Sequence, residues 1–135
     1  MSQIYLADKF GHREKMRHVA ELLRSDGHGI TSQWIEIDDG TGTCDDPNPD
    51  DVVRARGAAM DLAQVQMADT LLAFSYPRSL PNIGGGRHVE FGWALAHDLR
   101  VIVVGPRGEH VFHYAEGVEH CETLDEAREL LRRIV

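Results

Sequence analysis

The sequence predicts an α/β fold: a parallel sheet of about five strands with helices on both faces. Three observations carry this. Short apolar runs at residues 4–7, 71–74 and 101–104 are continuous rather than alternating, as in strands covered on both sides. Segments with apolar residues at helical spacing separate them. Read in order, the elements run β-α-β-α-β-α-β-(β)-α, an alternation that implies parallel strands joined by right-handed crossovers.

Each element has its own signal. Residues 4–7, Ile-Tyr-Leu-Ala, form the first strand. Met16, Val19, Ala20 and Leu23 then share one helical face, and the helix closes at Asp26-Gly27-His28-Gly29, where glycine takes the left-handed conformation. Residues 31–37 alternate enough for a second strand, and the acidic, Gly- and Pro-containing residues 38–50 form an exposed loop. Asp50 or Asp51 caps a second helix on which Val52, Ala55, Ala59, Leu62 and Ala63 share a face, with Gly57 a point of interruption. Residues 70–76 form the third strand, residues 77–86 a loop with two prolines and three consecutive glycines, and residues 87–97 a short helix. Residues 101–104 are the most strand-like run and belong at the centre of the sheet; a weaker strand follows at 118–121. Thr123 and Glu126 form a capping box that opens the last helix, with Leu124, Ala127, Leu131 and Ile134 on one face.

Composition bounds the function. A chain of 135 residues, 42% hydrophobic, fits one domain spanning 1–135. At that length roughly two-thirds of the unfolded surface is buried, so no disulfide or metal is needed. Cys44 and Cys121 are far apart and read as reduced thiols. No apolar run reaches the ~18 residues of a membrane span, and the first residues lack a signal-peptide layout, so a cytoplasmic, non-membrane protein is expected. A net charge of −8 argues against duplex nucleic acid as partner, though not against a small anion held by local donors. No cofactor motif is present: no Gly-Lys-Ser/Thr follows the glycines, and GxGxxG after the first strand is absent. Of the eight histidines no pair has metal-site spacing, and His110 and His113 read as surface residues.

In sheets of this kind ligands bind beyond the carboxyl ends of the strands, so the loops after Ala7, after Tyr76 and after Val104 are where chemistry is sought. The most informative stretch is 82–96, Asn82 through Gly84-Gly85-Gly86-Arg87 to Ala96. A glycine loop entering a helix leaves backbone N–H groups open to a ligand. Glu90 is expected in the first turn of that helix, where the dipole favours the ionised carboxylate that a nucleophile needs.

Gly85-Gly86-Arg87-His88-Val89-Glu90-Phe91-Gly92-Trp93-Ala94-Leu95-Ala96 resembles the signature of the nucleoside 2-deoxyribosyltransferase family, which includes the deoxynucleoside 5′-monophosphate N-glycosidases. Ile4-Tyr5-Leu6-Ala7 is similar to that family's opening strand with its active-site tyrosine. Asp61-Leu62-Ala63, followed by Ala68-Asp69 and an apolar strand, resembles its segment with an active-site aspartate. The matches occur in the family's order and span most of the chain.

The resemblance implies a flavodoxin-like, doubly wound sheet and a retaining mechanism. Glu90 would attack the anomeric carbon, Asp61 would hydrogen-bond or protonate the departing base, and Tyr5 would orient Glu90. Asp61 would gain from a raised pKa near a second carboxylate. Lys9, His12 and Arg13 in the first loop, joined by Arg87, would hold a 5′-phosphate, and Phe10 would stack on the base. Ala7 and Gly84–Gly86 would line the substrate. In much of the family a polar residue stands six positions before the glutamate; here that position is Gly84, with Asn82 as a partial substitute. The resemblance further implies a homodimer or higher homo-oligomer acting on a small nucleoside or nucleotide.

Plain alternatives stand beside these roles. Asp61-Leu-Ala-Gln64 also fits a capping box, Tyr5 also fits core packing with a satisfied hydroxyl, and the first loop also reads as a solvated charged loop. At the level of the whole chain, the rival is a nucleotide-binding or sensing module of the same fold without turnover. A flavodoxin-like redox module fits less well, because the first loop lacks a Ser/Thr-rich phosphate cradle.

Overall fold

The computed structural model describes residues 1–38, 40, 42–43, 50–78 and 85–133. Five strands, β1 (Gln3–Ala7), β2 (Gly29–Ile30), β3 (Thr70–Phe74), β4 (Arg100–Val104) and β5 (Glu119–Cys121), form one sheet in the order β2-β1-β3-β4-β5, every pair parallel. Among the described residues four α-helices connect and flank them: α1 (Arg13–Ser25), α2 (Asp51–Met67), α3 (Gly86–Ala96) and α4 (Leu124–Arg132). This is the expected doubly wound, flavodoxin-like sheet. With right-handed crossovers, the reversal of strand order between β1 and β3 puts α1 on one face and α2 and α3 on the other. An ion pair from Arg128 of α4 to Asp26 at the end of α1 ties the last helix to the first.

The apolar runs do what continuous runs predict. Ile4, Leu6, Leu71, Leu72, Ile102 and Val103 are all fully buried, and β4 is an inner strand. Helix α1 buries Met16, Val19, Ala20 and Leu23 and is followed by Gly27 at φ +95°; α4 buries Ala127 and Leu131 and is capped by the Thr123 hydroxyl. Ile134 and Cys44 lie outside the described residues; Cys121 is a buried free thiol.

Three expectations are corrected. The second strand is only Gly29–Ile30, not residues 31–37, and Trp34–Glu36 is a turn of 3-10 helix. The cause lies in side chains that replace the ladder: the Leu6 N–H donates to the Ser32 hydroxyl (3.1 Å), and the Trp34 indole N–H donates to the Leu6 carbonyl (2.8 Å). Gly57 does not interrupt α2, which runs unbroken from its Asp50 cap. Nor does that helix bury the expected face. Val52, Ala55, Ala59 and Ala63 are exposed, together with Met60 and Met67, whereas Gln64 is buried and Asp61 and Arg54 are half-buried. Helix α2 buries Val65 and half-buries Leu62, but beside them it turns Asp61 and Gln64 inward and leaves its alanines and both methionines outside, unlike a helix that covers only a hydrophobic core.

Candidate active site

That polar inner face looks onto the carboxyl half of β1. Tyr5, fully buried on β1, donates its hydroxyl to Glu90 Oε2 on α3. Asp61 projects from mid-α2, close enough for its charge to act on both Tyr5 and Glu90. Three residues from three elements thus meet in the layer between the sheet and α2–α3. Asp61 lies well inside the helix that Asp50 caps, so the capping-box alternative does not hold. The core-packing alternative for Tyr5 holds as far as it goes, since the ring is core and the hydroxyl is satisfied, but the group that satisfies it is the carboxyl of Glu90.

The electrostatics differ from the expectation. Helix α3 starts at Gly86 and has no acidic residue in its first turn; Glu90 falls one turn in, with 9% of its surface exposed. Burial pushes its carboxyl up to about 8, the Asp61 charge adds to the rise, and the Tyr5 hydrogen bond opposes it. The helix terminus does not hold this carboxylate ionised. Asp61 is pushed up to about 6, by burial. Burial and the Glu90 and Asp61 charges raise the Tyr5 hydroxyl far above its ordinary range, so it stays a donor.

A second cluster stands at the carboxyl ends of β1 and β3. The Tyr76 hydroxyl lies 2.8 Å from both carboxylate oxygens of Asp8 and 2.9 Å from His12 Nδ1, which is itself 3.0 Å from Asp8 Oδ1. Burial and the Asp8 carboxylate push the Tyr76 hydroxyl above its ordinary range. The Lys9 and Lys15 ammonium groups sit 4.8 and 5.5 Å from the centre of the Tyr76 ring.

The first-loop residues therefore separate. Lys9 and His12 gather at Tyr76, whereas Arg13 turns to the Asp38 carbonyl (3.0 Å) and lies over the Phe10 ring, which is tilted against Trp34. Arg87 is not aimed at a phosphate: it is buried and paired with Glu109. Ala7, ending β1, faces a small cleft with Phe74, Phe91, His110 and His113. His113 is 2% exposed and His110 half-buried, so these are not surface histidines; their rings pack on each other and on Phe91. Gly85 and Gly86 are exposed, and a Cβ on either would meet no atom within 4 Å. Asn82 and Gly84 lie outside the described residues. Among the described residues, no three His, Cys, Asp or Glu side chains come together as metal ligands, and no helix is long and apolar enough to cross a membrane.

No family model matches the chain, and no curated protein does. Solved structures do. The CMP N-glycosidase BcmB of Clostridium botulinum superposes with a TM-score of 0.60 at 16% identity, over 96% of this chain and 97% of that one. A 2-deoxyribosyltransferase from the psychrotolerant bacterium Bacillus psychrosaccharolyticus superposes with a TM-score of 0.66 at 20% identity, over 93% of this chain and 90% of that one. The fold is that of the nucleoside 2-deoxyribosyltransferases. At these identities the likeness is one of fold, and it covers nearly the whole of each chain.

Within this deoxyribosyltransferase fold, four polar residues near the site escaped sequence reasoning as site residues: Asp8, Lys15, Tyr76 and Glu109. Asp8 and Tyr76 had a usable signal, since each lies just past the carboxyl end of a central strand. Lys15 and Glu109 had none. Lys15 reads as one more charged position on an amphipathic helix, and the partner of Glu109 is 22 residues away in sequence.

Proposed function

We propose that this protein cleaves the N-glycosidic bond of a nucleoside 5′-monophosphate or nucleoside through a glycosyl-enzyme ester on Glu90. The observation that carries the reading is the buried meeting of Glu90, Tyr5 and Asp61 beneath the carboxyl edge of the sheet. A Glu90 oxygen bonds to the sugar C1′ as the C1′–N bond breaks, and the electron pair goes to the base. Asp61, with its raised pKa, gives that base its proton. Water, or the nitrogen of a second base, then bonds to C1′ as the ester C–O bond breaks, gives its proton to the Asp61 carboxylate and frees the Glu90 carboxylate. Tyr5 holds the attacking carboxyl in one rotamer. The bare backbone at Gly85 and Gly86 leaves room for the sugar to approach, which supports the reading. Two proteins of this fold, a CMP N-glycosidase and a 2-deoxyribosyltransferase, support it further.

The cations at Tyr76 favour the phosphorylated substrate. The Lys9 and Lys15 ammonium groups stand near a ring at the mouth of the β1–β3 crevice, with His12 beside it, and a 5′-phosphate there would meet charge-assisted donors from the two lysines. Incubation with the four deoxynucleosides and their monophosphates, with and without a free acceptor base, tests the reading by chromatography. Free base is expected, faster from monophosphates, and Lys9→Ala should raise KM for monophosphates about tenfold while sparing nucleosides. Base release without an acceptor identifies a hydrolase, and base exchange a transferase. A rise in melting temperature with nucleotide but no base release from any substrate would refute turnover and leave a binding module.

Self-association belongs to the same reading. The outward apolar stripe of α2, with Val52, Ala59, Met60, Ala63 and Met67, supplies a surface for a second copy of the chain. Sedimentation should show a dimer or larger species that Met60→Glu dissociates; a monomeric wild-type protein would end this part of the proposal.

A further inference from the structure

Helix α3 carries Glu90, yet its first turn has little of the usual anchoring. Its N-cap is Gly85, with no side-chain cap, and Gly85 and Gly86 are both exposed. What ties this end down is Arg87, 6% exposed. Its guanidinium donates to the Phe74 carbonyl at the end of β3 (3.2 Å) and to Glu109 Oε1 (2.8 Å), and its other terminal nitrogen pairs with Glu109 Oε2. Glu109 Oε1 also accepts the Tyr76 backbone N–H (3.2 Å). The two-pronged match of guanidinium and carboxylate fixes direction as well as distance.

Glu109 is held in its turn. The loop after β4 bends at Gly105 and Gly108, at φ +116° and +99°. A Cβ at Gly105 would stand 2.6 Å from the Ser75 carbonyl oxygen, so only glycine lets the loop run this close to the end of β3. The Gly108 N–H donates to His113 Nδ1 (3.1 Å), and the His113 ring packs on Phe91 of α3, 5.5 Å between centres. One ion pair thus joins the end of β3, the start of α3 and the loop after β4. Arg87 and Glu90 lie three residues apart, neighbours on one helix surface. The helix rotation that brings Arg87 to Glu109 also brings the Glu90 carboxyl to Tyr5.

We propose that Arg87 and Glu109 are a positioning pair for Glu90, locking the first turn of α3 so that the carboxyl one turn on meets the Tyr5 hydroxyl. The proposal rests on Glu90 being the nucleophile only where it concerns rate. Neither member of the pair touches reacting atoms. Misplacement of a reacting group by about 1 Å can cost about a hundredfold in rate.

The test is the double variant Arg87→Met/Glu109→Leu, which removes both charges together and leaves neither buried alone. Two readouts are taken on the whole chain. One is the low-field proton resonance of the Tyr5 hydroxyl bonded to Glu90, assigned by its absence in Tyr5→Phe. The other is the split between kcat and KM with the monophosphate that the wild type turns over best. In a cooperatively melting double variant the resonance is expected to shift or vanish, with kcat down about tenfold or more and KM within about threefold. An unchanged resonance in the folded variant overturns the proposal. Should the wild type turn nothing over, the glycosidase reading falls, and the resonance still decides this one. Should the double variant not fold, Arg87→Lys, which keeps the charge and loses the fork, is read the same way.

Discussion

Glu90→Gln is expected to abolish turnover while making the protein harder to melt. Loss of the nucleophilic oxygen should lower kcat by about a thousandfold or more, since an amide cannot form the ester. The stability gain comes from burial. In the folded protein the Glu90 carboxyl is pushed up to about 8 from an ordinary 4.5, mainly by burial. Below pH 4.5 both folded and unfolded chains hold this proton and the group contributes nothing to the pH dependence. As pH rises from 4.5 to 8 the unfolded chain ionises and the folded one resists, so stability is lost across that window and stays low above it. At pH 7 the cost approaches an upper bound of about 3 kcal/mol, of which glutamine, uncharged and nearly isosteric, should restore a part. Thermal melts of wild type and variant should coincide near pH 4 and diverge by several degrees at pH 8, the variant higher. A variant that melts lower at pH 8, or a gap independent of pH, would show that this carboxyl is not held as described. Wild-type rates in a folded Glu90→Gln protein would remove the mechanism. The group proposed to react is the group that destabilises, as expected where a fold stores cost at its site.

The same burial explains what could be read in the sequence. Residues 4–7, 71–74 and 101–104 are covered on both faces, so composition alone marks them, and α1 and α4 cover a plain core, so apolar periodicity sets their phase. Helix α2 defeats that rule because the layer beneath it holds carboxyls. Asp61 and Gln64 face in, and Val52, Ala59 and Ala63 face out. The missing length of β2 has a different cause: Ser32 and Trp34 side chains take the Leu6 backbone groups a longer strand would have paired, and side-chain substitution for a ladder leaves no periodic trace. That Tyr5, Asp61 and Glu90 come close in space was legible through the order of motifs along the chain, not through their local patterns. Their charge states were not legible, because they depend on the depth at which three separate elements meet. Arg87 shows the limit most plainly. Beside three glycines it reads as an anion ligand, and only its distance to Glu109, across 22 residues of chain, shows the charge already matched.

Activity should follow a bell in pH with limbs near 6 and 8, and the upper limb should answer to Tyr5. The proposed chemistry needs Glu90 ionised and Asp61 protonated, yet Asp61 is raised to about 6 and Glu90 to about 8, so the two protons sit in crossed order. Between those values the pair holds one proton. That proton rests mostly on Glu90, the more strongly raised of the two, so only a minority of molecules is poised to react. Below about 6 both carboxyls are protonated and above about 8 neither is, so kcat/KM should fall about tenfold per pH unit on either side. Tyr5→Phe removes the hydrogen bond that opposes the rise of the Glu90 carboxyl. The alkaline limb should then move up and the peak rate should fall with it, because every further rise on Glu90 makes the reactive arrangement rarer. Conventional order, with Glu90 the stronger acid, predicts the opposite limb: losing Tyr5 would shift the acid side and leave the alkaline side in place. Rate profiles of wild type and Tyr5→Phe from pH 5 to 9 separate the two, and a moving acid limb would show that the buried carboxyl on α3 is the more acidic of the pair.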